Sequence, residues 1–326
     1  MTRRFALVPS PLVGDATFGP LQPESVVDRL AALEEMLEVD SMSIRISPPK
    51  VFPMATGAAR PAADAGGSLD SHRQTSFVLD GDLAAVLDGL NLEGGVAAAS
   101  TGAKSRTQAM VAALGLWSRS WLCRLEALHA VQWGNYAAAT PLVRSAADFQ
   151  ASMLYLLRTG AAEWQEWLDG GGIAIAPEHH ATQFALHAFR AGEILAAHEV
   201  LGPLYRAATD LSLSHFGSTL LVAGNESGPD HVAMTFGDRD FHMGLAEIHL
   251  GWLTDLGIAQ ADALREFDAV FEIGDGHSLQ GWRERAGALA TTSRCRIEPV
   301  EVDGVRRYLV HHWRREPRSA PKRLLL

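Results

Sequence analysis

From about Lys104 onward, apolar residues recur at three- and four-residue intervals, the spacing that lines one side of an α-helix. In "TQAMVAALGLWSRSWLCRLEALHAVQW" the stripe is Leu114, Trp117, Trp121, Leu125 and Leu128, which predicts a helix facing a core. After Gly134-Asn135 the pattern resumes in "YAAATPLVRSAADFQASMLYLLRTG". Its small residues and terminal Gly160 predict a second helix packed closely on the first. A triple-glycine break then precedes a histidine-bearing helix opened by Pro177, and "PLYRAATDLSLSHFGSTLLVAG", "DFHMGLAEIHLGWLTDLG" and "DALREFDAVFEIG" supply the rest. About six helices with short connections predict an antiparallel bundle over 104–290.

Both ends read differently. Residues 1–103 are rich in Pro, Gly and Ala, with one amphipathic helix at "PESVVDRLAALEEMLEV", strand-like "FALV" and "SMSIRIS", and the composition of a mobile loop in "ATGAARPAADAGGSLDSHRQ". Residues 291–326 contain "CRIEPVEVDGVRRYLVHHW", two β-prone runs around Asp303-Gly304, the signal for a two-residue type I′ hairpin. That turn sets Val302 opposite Val305, Glu301 opposite Arg306 and Ile297 opposite Val310, and Pro299 confines its strand to an edge. Within the bundle, turn residues bracket a short extended "HVAMTF". The expected fold class is mainly α, an antiparallel helical bundle with a small β element in which the C-terminal hairpin meets the N-terminal strands.

Composition narrows the function. With 47% apolar and 20% charged residues the chain is an ordinary globular one, and no apolar run reaches the roughly 18 residues that cross a bilayer. Cys123 and Cys295 form no C-x-x-C pair, so a reducing, cytoplasmic setting is expected and a cysteine zinc site is not. The net charge of −10 argues against general nucleic-acid binding, but residues 294–326 carry nine Lys/Arg against four Asp/Glu, a local +5, which leaves −15 on the first 293. Such a basic arm either docks on the acidic body or offers a patch to nucleic acid or an acidic partner.

The run "HHATQFALHAFRAGEILAAHE" invites a metal reading. His180, His187 and His198 fall on one helical line, but the intervals are about 10 Å and about 16 Å, and imidazoles on one ion must each come within about 2.1 Å of it. They cannot share a metal. A better spacing is Glu126-x-x-His129, by which one helix of a di-iron carboxylate bundle offers two ligands. A second E-x-x-H is missing, so a site for iron, manganese or zinc would need Glu193, His242 or Glu247 from other helices, with Asp148 a further carboxylate.

Arg144 and Asp148 stand four apart in an otherwise apolar stretch, either as an intrahelical ion pair or facing a pocket where the guanidinium would anchor a carboxylate or phosphate. Residues "GNYAAATPLVRSAADFQASMLYLL" and "YRAATDLSLSHFGS" together resemble poorly characterised bacterial all-helical proteins similar to HEPN-type bundles, over about 105–260. The resemblance implies an all-helical bundle, sets Asp148 where those proteins carry Glu, and makes His215 the histidine of the second motif. HEPN ribonucleases pair an Arg with a His four to six residues on. Arg124/His129, Arg306/His311 and Arg307/His312 match that spacing. No G-x-S-x-G, P-loop or G-x-G-x-x-G is present.

The leading expectation is an intracellular binding or regulatory protein, self-associating through an apolar bundle face, with Arg144, Asp148 and His215 as ligand-binding candidates. The alternatives are a metal-dependent enzyme built on Glu126 and His129, and a HEPN-type ribonuclease.

Overall fold

The computed structural model describes residues 50–51, 54–100, 108–159, 191–224, 226–228, 230–274, 276–290 and 293–326, which lie in a unit spanning Met42–Leu326. The strand-like runs near the N-terminus, the helix expected at 23–39 and most of the histidine-bearing stretch lie outside them. The fold is mainly helical with one small antiparallel sheet, as expected. None of the described helices is long and apolar enough to cross a membrane.

The two long helices anticipated from the apolar stripe are Gln108–Gln132 and Tyr136–Arg158, here α3 and α4. The turn between them is a Schellman motif. Gly134 takes φ 71°, its N–H donates to the Val131 carbonyl (3.0 Å), and Asn135 N–H donates to the Ala130 carbonyl (2.7 Å). So tight a turn returns α4 antiparallel along α3. The buried line of α3 runs through Ala113, Trp117, Ser120, Arg124, Ala127 and Val131. It is rotated from the expected stripe, of which Trp117 and Leu128 are buried while Leu114, Trp121 and Leu125 are half-buried.

Two helices precede them in the glycine- and alanine-rich stretch: α1 (Gly67–Val78) and α2 (Asp80–Ser100). The mobile-loop expectation for 55–74 is therefore corrected. From Gly67 the chain is helical, and its earlier part is held by side chains. Asn91 bonds both the N–H and the carbonyl of Ala55 (2.8 and 3.1 Å), and Gln132 accepts from Ala58 N–H (2.7 Å). In α2, Leu83, Val86, Leu90, Glu93 and Val96 keep helical spacing, so burial of that face outweighs the propensity lost at its glycines.

Beyond α4 come α5 (Ala191–Ala197), α6 (Leu201–Ser212) and α7 (Phe216–Ala223). The stretch 203–224, expected as one helix, is broken at 213–215, where Ser218 Oγ donates to the carbonyls of Leu213 (2.7 Å) and His215 (2.9 Å). These local serine bonds replace helical ones. After an irregular stretch at 230–242, α8 (Met243–Glu266) runs through the centre, and α9 (His277–Ala290) follows. Ser278 stands in the first turn of α9.

At the junction of α2, α3, α8 and α9 the Arg124 guanidinium is buried and forks onto Glu93, its Nη1 donating to Oε1 at 2.7 Å and its Nη2 to Oε2. Trp117 Nε1 donates to the same carboxylate (2.9 Å). Trp282 covers the pair, and a Cβ at Gly257 would meet its ring at 2.8 Å, so only glycine lets α8 approach.

The sheet is β1 (Arg296–Val302), β2 (Val305–Trp313) and β3 (Lys322–Leu325). The hairpin register is the expected one, with Asp303 and Gly304 both at positive φ (53° and 74°). The third strand comes from the C-terminal end, Val310 opposite Leu324. The basic module is docked on the acidic body. Arg294 pairs with Asp82 (2.6 Å), Arg314 with Glu247 (2.9 Å), and Tyr308 OH donates to Asp210 (2.5 Å). The carbonyls of Arg315 and Arg314 also receive the first N–H groups of α8, from Met243 (3.1 Å) and Gly244 (2.9 Å), supplying the cap that no side chain provides.

Glu93→Gln leaves a buried guanidinium without its counter-charge and is expected to lower unfolding stability by about 3–5 kcal/mol, read from urea midpoints. The double variant Glu93→Leu/Arg124→Met is expected to recover most of that loss.

Candidate functional site

Helix α6 owes its start to His198, whose Nδ1 accepts from Val200 and Leu201 N–H (3.2 and 3.3 Å) and so satisfies the first turn's donors. Burial and the nearby Arg158 lower its pKa, which keeps the ring neutral and Nδ1 an acceptor. One turn apart on α6, Tyr205 and Thr209 face α4, where Arg144 meets both. Nε donates to Thr209 Oγ1 (3.1 Å), Nη2 donates to Tyr205 OH (3.0 Å), and the guanidinium lies 5.2 Å from the Tyr205 ring centre. The two sequence segments that carry the helical-bundle resemblance thus meet at this contact.

Arg144 is half-buried, and no carboxylate among the described residues forms an ion pair with it. Its donors go across to α6 rather than along the helix to Asp148, which is half-buried one turn on. His215 stands apart at the start of α7, exposed, its carbonyl accepting from the hydroxyls of Ser218 and Thr219. Arg144 is therefore oriented by two neutral hydroxyls, with Nη1 unengaged among the described contacts. Such a fork is suited to a carboxylate or phosphate oxygen pair.

Among the described residues no three His, Cys, Asp or Glu side chains converge on a metal-sized site, and the five metal candidates lie apart except for Glu126 and His129. Glu126 is exposed, 3.7 Å from His129 Nδ1, while His129 Nε2 donates to the Thr56 carbonyl (2.8 Å). Glu193 is exposed on α5. His242 Nε2 lies 3.0 Å from Asp238, and Glu247 accepts from Cys295 N–H (3.0 Å) as well as from Arg314. The spaced Arg/His pairs also part company. Arg124 is buried on Glu93, Arg306 and Arg307 are exposed on β2, and His311 lies 2.8 Å from Glu298.

Sequence reasoning missed a buried polar cluster between α4 and α8. His249 Nδ1–H donates to the Leu245 carbonyl (2.7 Å), which leaves Nε2 to accept from Thr140 Oγ1 (2.9 Å). Tyr136 lies against both His249 and His242, and its hydroxyl accepts from His242 N–H (3.2 Å). Burial raises the Tyr136 phenol to about 12 and lowers His249 to about 4, so both are neutral at physiological pH. Their sequence signal was only a His and a Thr at inward-facing positions of two apolar helices. A shallow open groove of about 480 Å³ between α2 and α9, lined by Asp88, Asn91, Ser278 and Arg285, is the other concavity of note, but Asn91 is already committed to Ala55.

No family model, curated protein or solved structure matches the chain.

His249 sets a pH dependence. Its folded pKa is below the unfolded one, so the unfolded chain binds more protons between the two, and stability is lost as pH falls from 6.5 to about 4. The full effect is about 3 kcal/mol at about 1.4 kcal/mol per unit. Asp255, raised by burial to about 6, has the opposite slope, so the effect is read as a difference. Urea midpoints of wild type and His249→Gln, measured from pH 7 to pH 4, are expected to converge as the pH drops.

Proposed function

We propose that this chain is a helical-bundle binding protein that takes up a small carboxylate- or phosphate-bearing molecule at the α4–α6 contact, with Arg144 as the anchoring cation. The observation that carries the reading is a half-buried guanidinium held by Tyr205 and Thr209 without a carboxylate partner among the described residues. Neutral hydroxyls orient the fork but do not offset the desolvation of its charge, and a ligand oxyanion does both. Elsewhere in the described structure the buried or half-buried arginines Arg124, Arg283, Arg294, Arg314 and Arg315 each have a carboxylate. Arg144 is set apart by lacking one. Binding there joins α4 to α6, and through Asp210 and Tyr308 to the sheet, so occupancy would tighten the attachment of the C-terminal module, consistent with a regulatory role.

The test is thermal unfolding of the full chain in inorganic phosphate or acetate against chloride at matched ionic strength. A ligand at a hundredfold excess over its Kd adds about 2.7 kcal/mol, a shift of a few degrees in a chain of this size. Arg144→Gln is expected to abolish the shift, and Arg144→Lys to weaken it because an ammonium lacks the fork. Tyr205→Phe, which keeps the ring, is expected to weaken it with little change in the unliganded melt. No response to either anion, or an undiminished one in Arg144→Gln, overturns the reading.

A further inference from the structure

Ten large apolar side chains are left exposed among the described residues, and six gather around α7: Leu213, Phe216, Val232, Met234, Phe236 and Leu325. Phe236 is wholly in solvent. Contiguous apolar exposure of this kind marks a contact surface rather than the scatter normal on a monomer. The grouping is fixed by contacts. Ser218 on α7 holds the Leu213 carbonyl, Thr235 N–H donates to Ala223 at the end of α7 (2.7 Å), and Leu326 lies 4.0 Å from where a Gly217 Cβ would be, near its start.

Two stretches of backbone with unengaged groups flank that helix. In the 231–236 segment, Ala233 N–H donates to Ser227 Oγ (3.0 Å) and Thr235 N–H to the Ala223 carbonyl (2.7 Å), while no described residue bonds the backbone of Val232 or Met234. On the other flank β3 pairs with β2 through Leu324 and Leu326, which turns Arg323 and Leu325 to its open edge. The charges of the flanks are opposite. Residues 226–240 carry Glu226, Asp230, Asp238 and Asp240 against Arg239, and residues 315–326 carry Arg315, Arg318, Lys322 and Arg323 against Glu316. Glu226 and Arg315 already pair within the chain (3.4 Å), which leaves side-chain charges of −2 and +2.

Because the basic edge adjoins the start of α7 and the acidic edge its end, a two-fold axis across the helix lays each edge on its opposite in a second molecule. On α7 itself Phe216, Thr219, Leu220 and Ala223 share one side at helical spacing, placing an apolar strip at the axis. We propose that this face is a two-fold interface with a second copy of the chain, α7 antiparallel on its mate and segment 231–236 of each copy against β3 of the other. Self-pairing of 231–236 would instead oppose like charges, and a closed exchange satisfies both edges at once.

The experiment is sedimentation equilibrium of the full chain over a range of concentrations, with Phe236→Asp and Phe216→Asp as variants and circular dichroism as a check on folding. A dimer is expected, weakened by salt and weakened about tenfold or more by either substitution, with the helical signal unchanged in Phe236→Asp. Lys322→Glu/Arg323→Glu is expected to weaken it as well, and adding Asp230→Lys to restore part of the loss. A monomer at every concentration, a dimer indifferent to both aspartate variants, or assemblies that grow without limit would each overturn the proposal.

Discussion

The packing of this bundle turns on one buried charge pair, Arg124 on α3 with Glu93 on α2. A guanidinium and a carboxylate removed from water are tolerable only when each satisfies the other, and here the forked contact is supported by the Trp117 indole. The geometry this demands reaches outward. α2 cannot slide along α3 without unpairing both ions, and Trp282 of α9 must cover them, which in turn requires glycine at position 257 of α8. An apolar pair of the same volume could hold the helices with comparable energy, but it would not select one register so sharply.

Opposite charges are used the same way at the edge of the bundle. Glu247 gathers the Cys295 amide and the Arg314 guanidinium, clamping the two ends of the hairpin onto α8, while Asp82 and Asp210 receive Arg294 and Tyr308. The acidic body and the basic C-terminal stretch are thus halves of one electrostatic fit. Against that background the Arg144 contact stands out, because its partners are uncharged hydroxyls. Arg124 and Arg314 are completed by carboxylates of the chain, and the ligand proposed above would do the same at Arg144.

Much of this was legible in the residues. The α3–α4 pair followed from helical spacing interrupted by Gly134-Asn135, and the hairpin register from Asp303-Gly304, since each is decided by neighbours in sequence. The misses share a cause. α1 and α2 were hidden by glycine, whose weak helix propensity is overridden only by burial against α3, α8 and α9. The break at 213–215 depends on the Ser218 hydroxyl turning back to carbonyls, a choice between two local hydrogen-bonding schemes that pattern does not reveal. The metal-like spacing at Glu126/His129 was equally legible; in the fold Glu126 is exposed 3.7 Å from His129 Nδ1, and His129 Nε2 donates to the Thr56 carbonyl.

By itself, then, the sequence determined the class of fold, the α3–α4 turn, the hairpin and its register, and the imbalance of charge between body and tail. These depend on spacing and on short-range backbone conformation, which act within a few residues. Only the tertiary structure decided which arginine meets a carboxylate and which meets hydroxyls among the described residues. Arg124 and Arg144 sit on helices of similar composition, and what separates them is that Glu93 meets one and two hydroxyls meet the other, across 31 positions in the first case and 61 and 65 in the second. Pairings at that range are set by how helices pack, which no local pattern encodes.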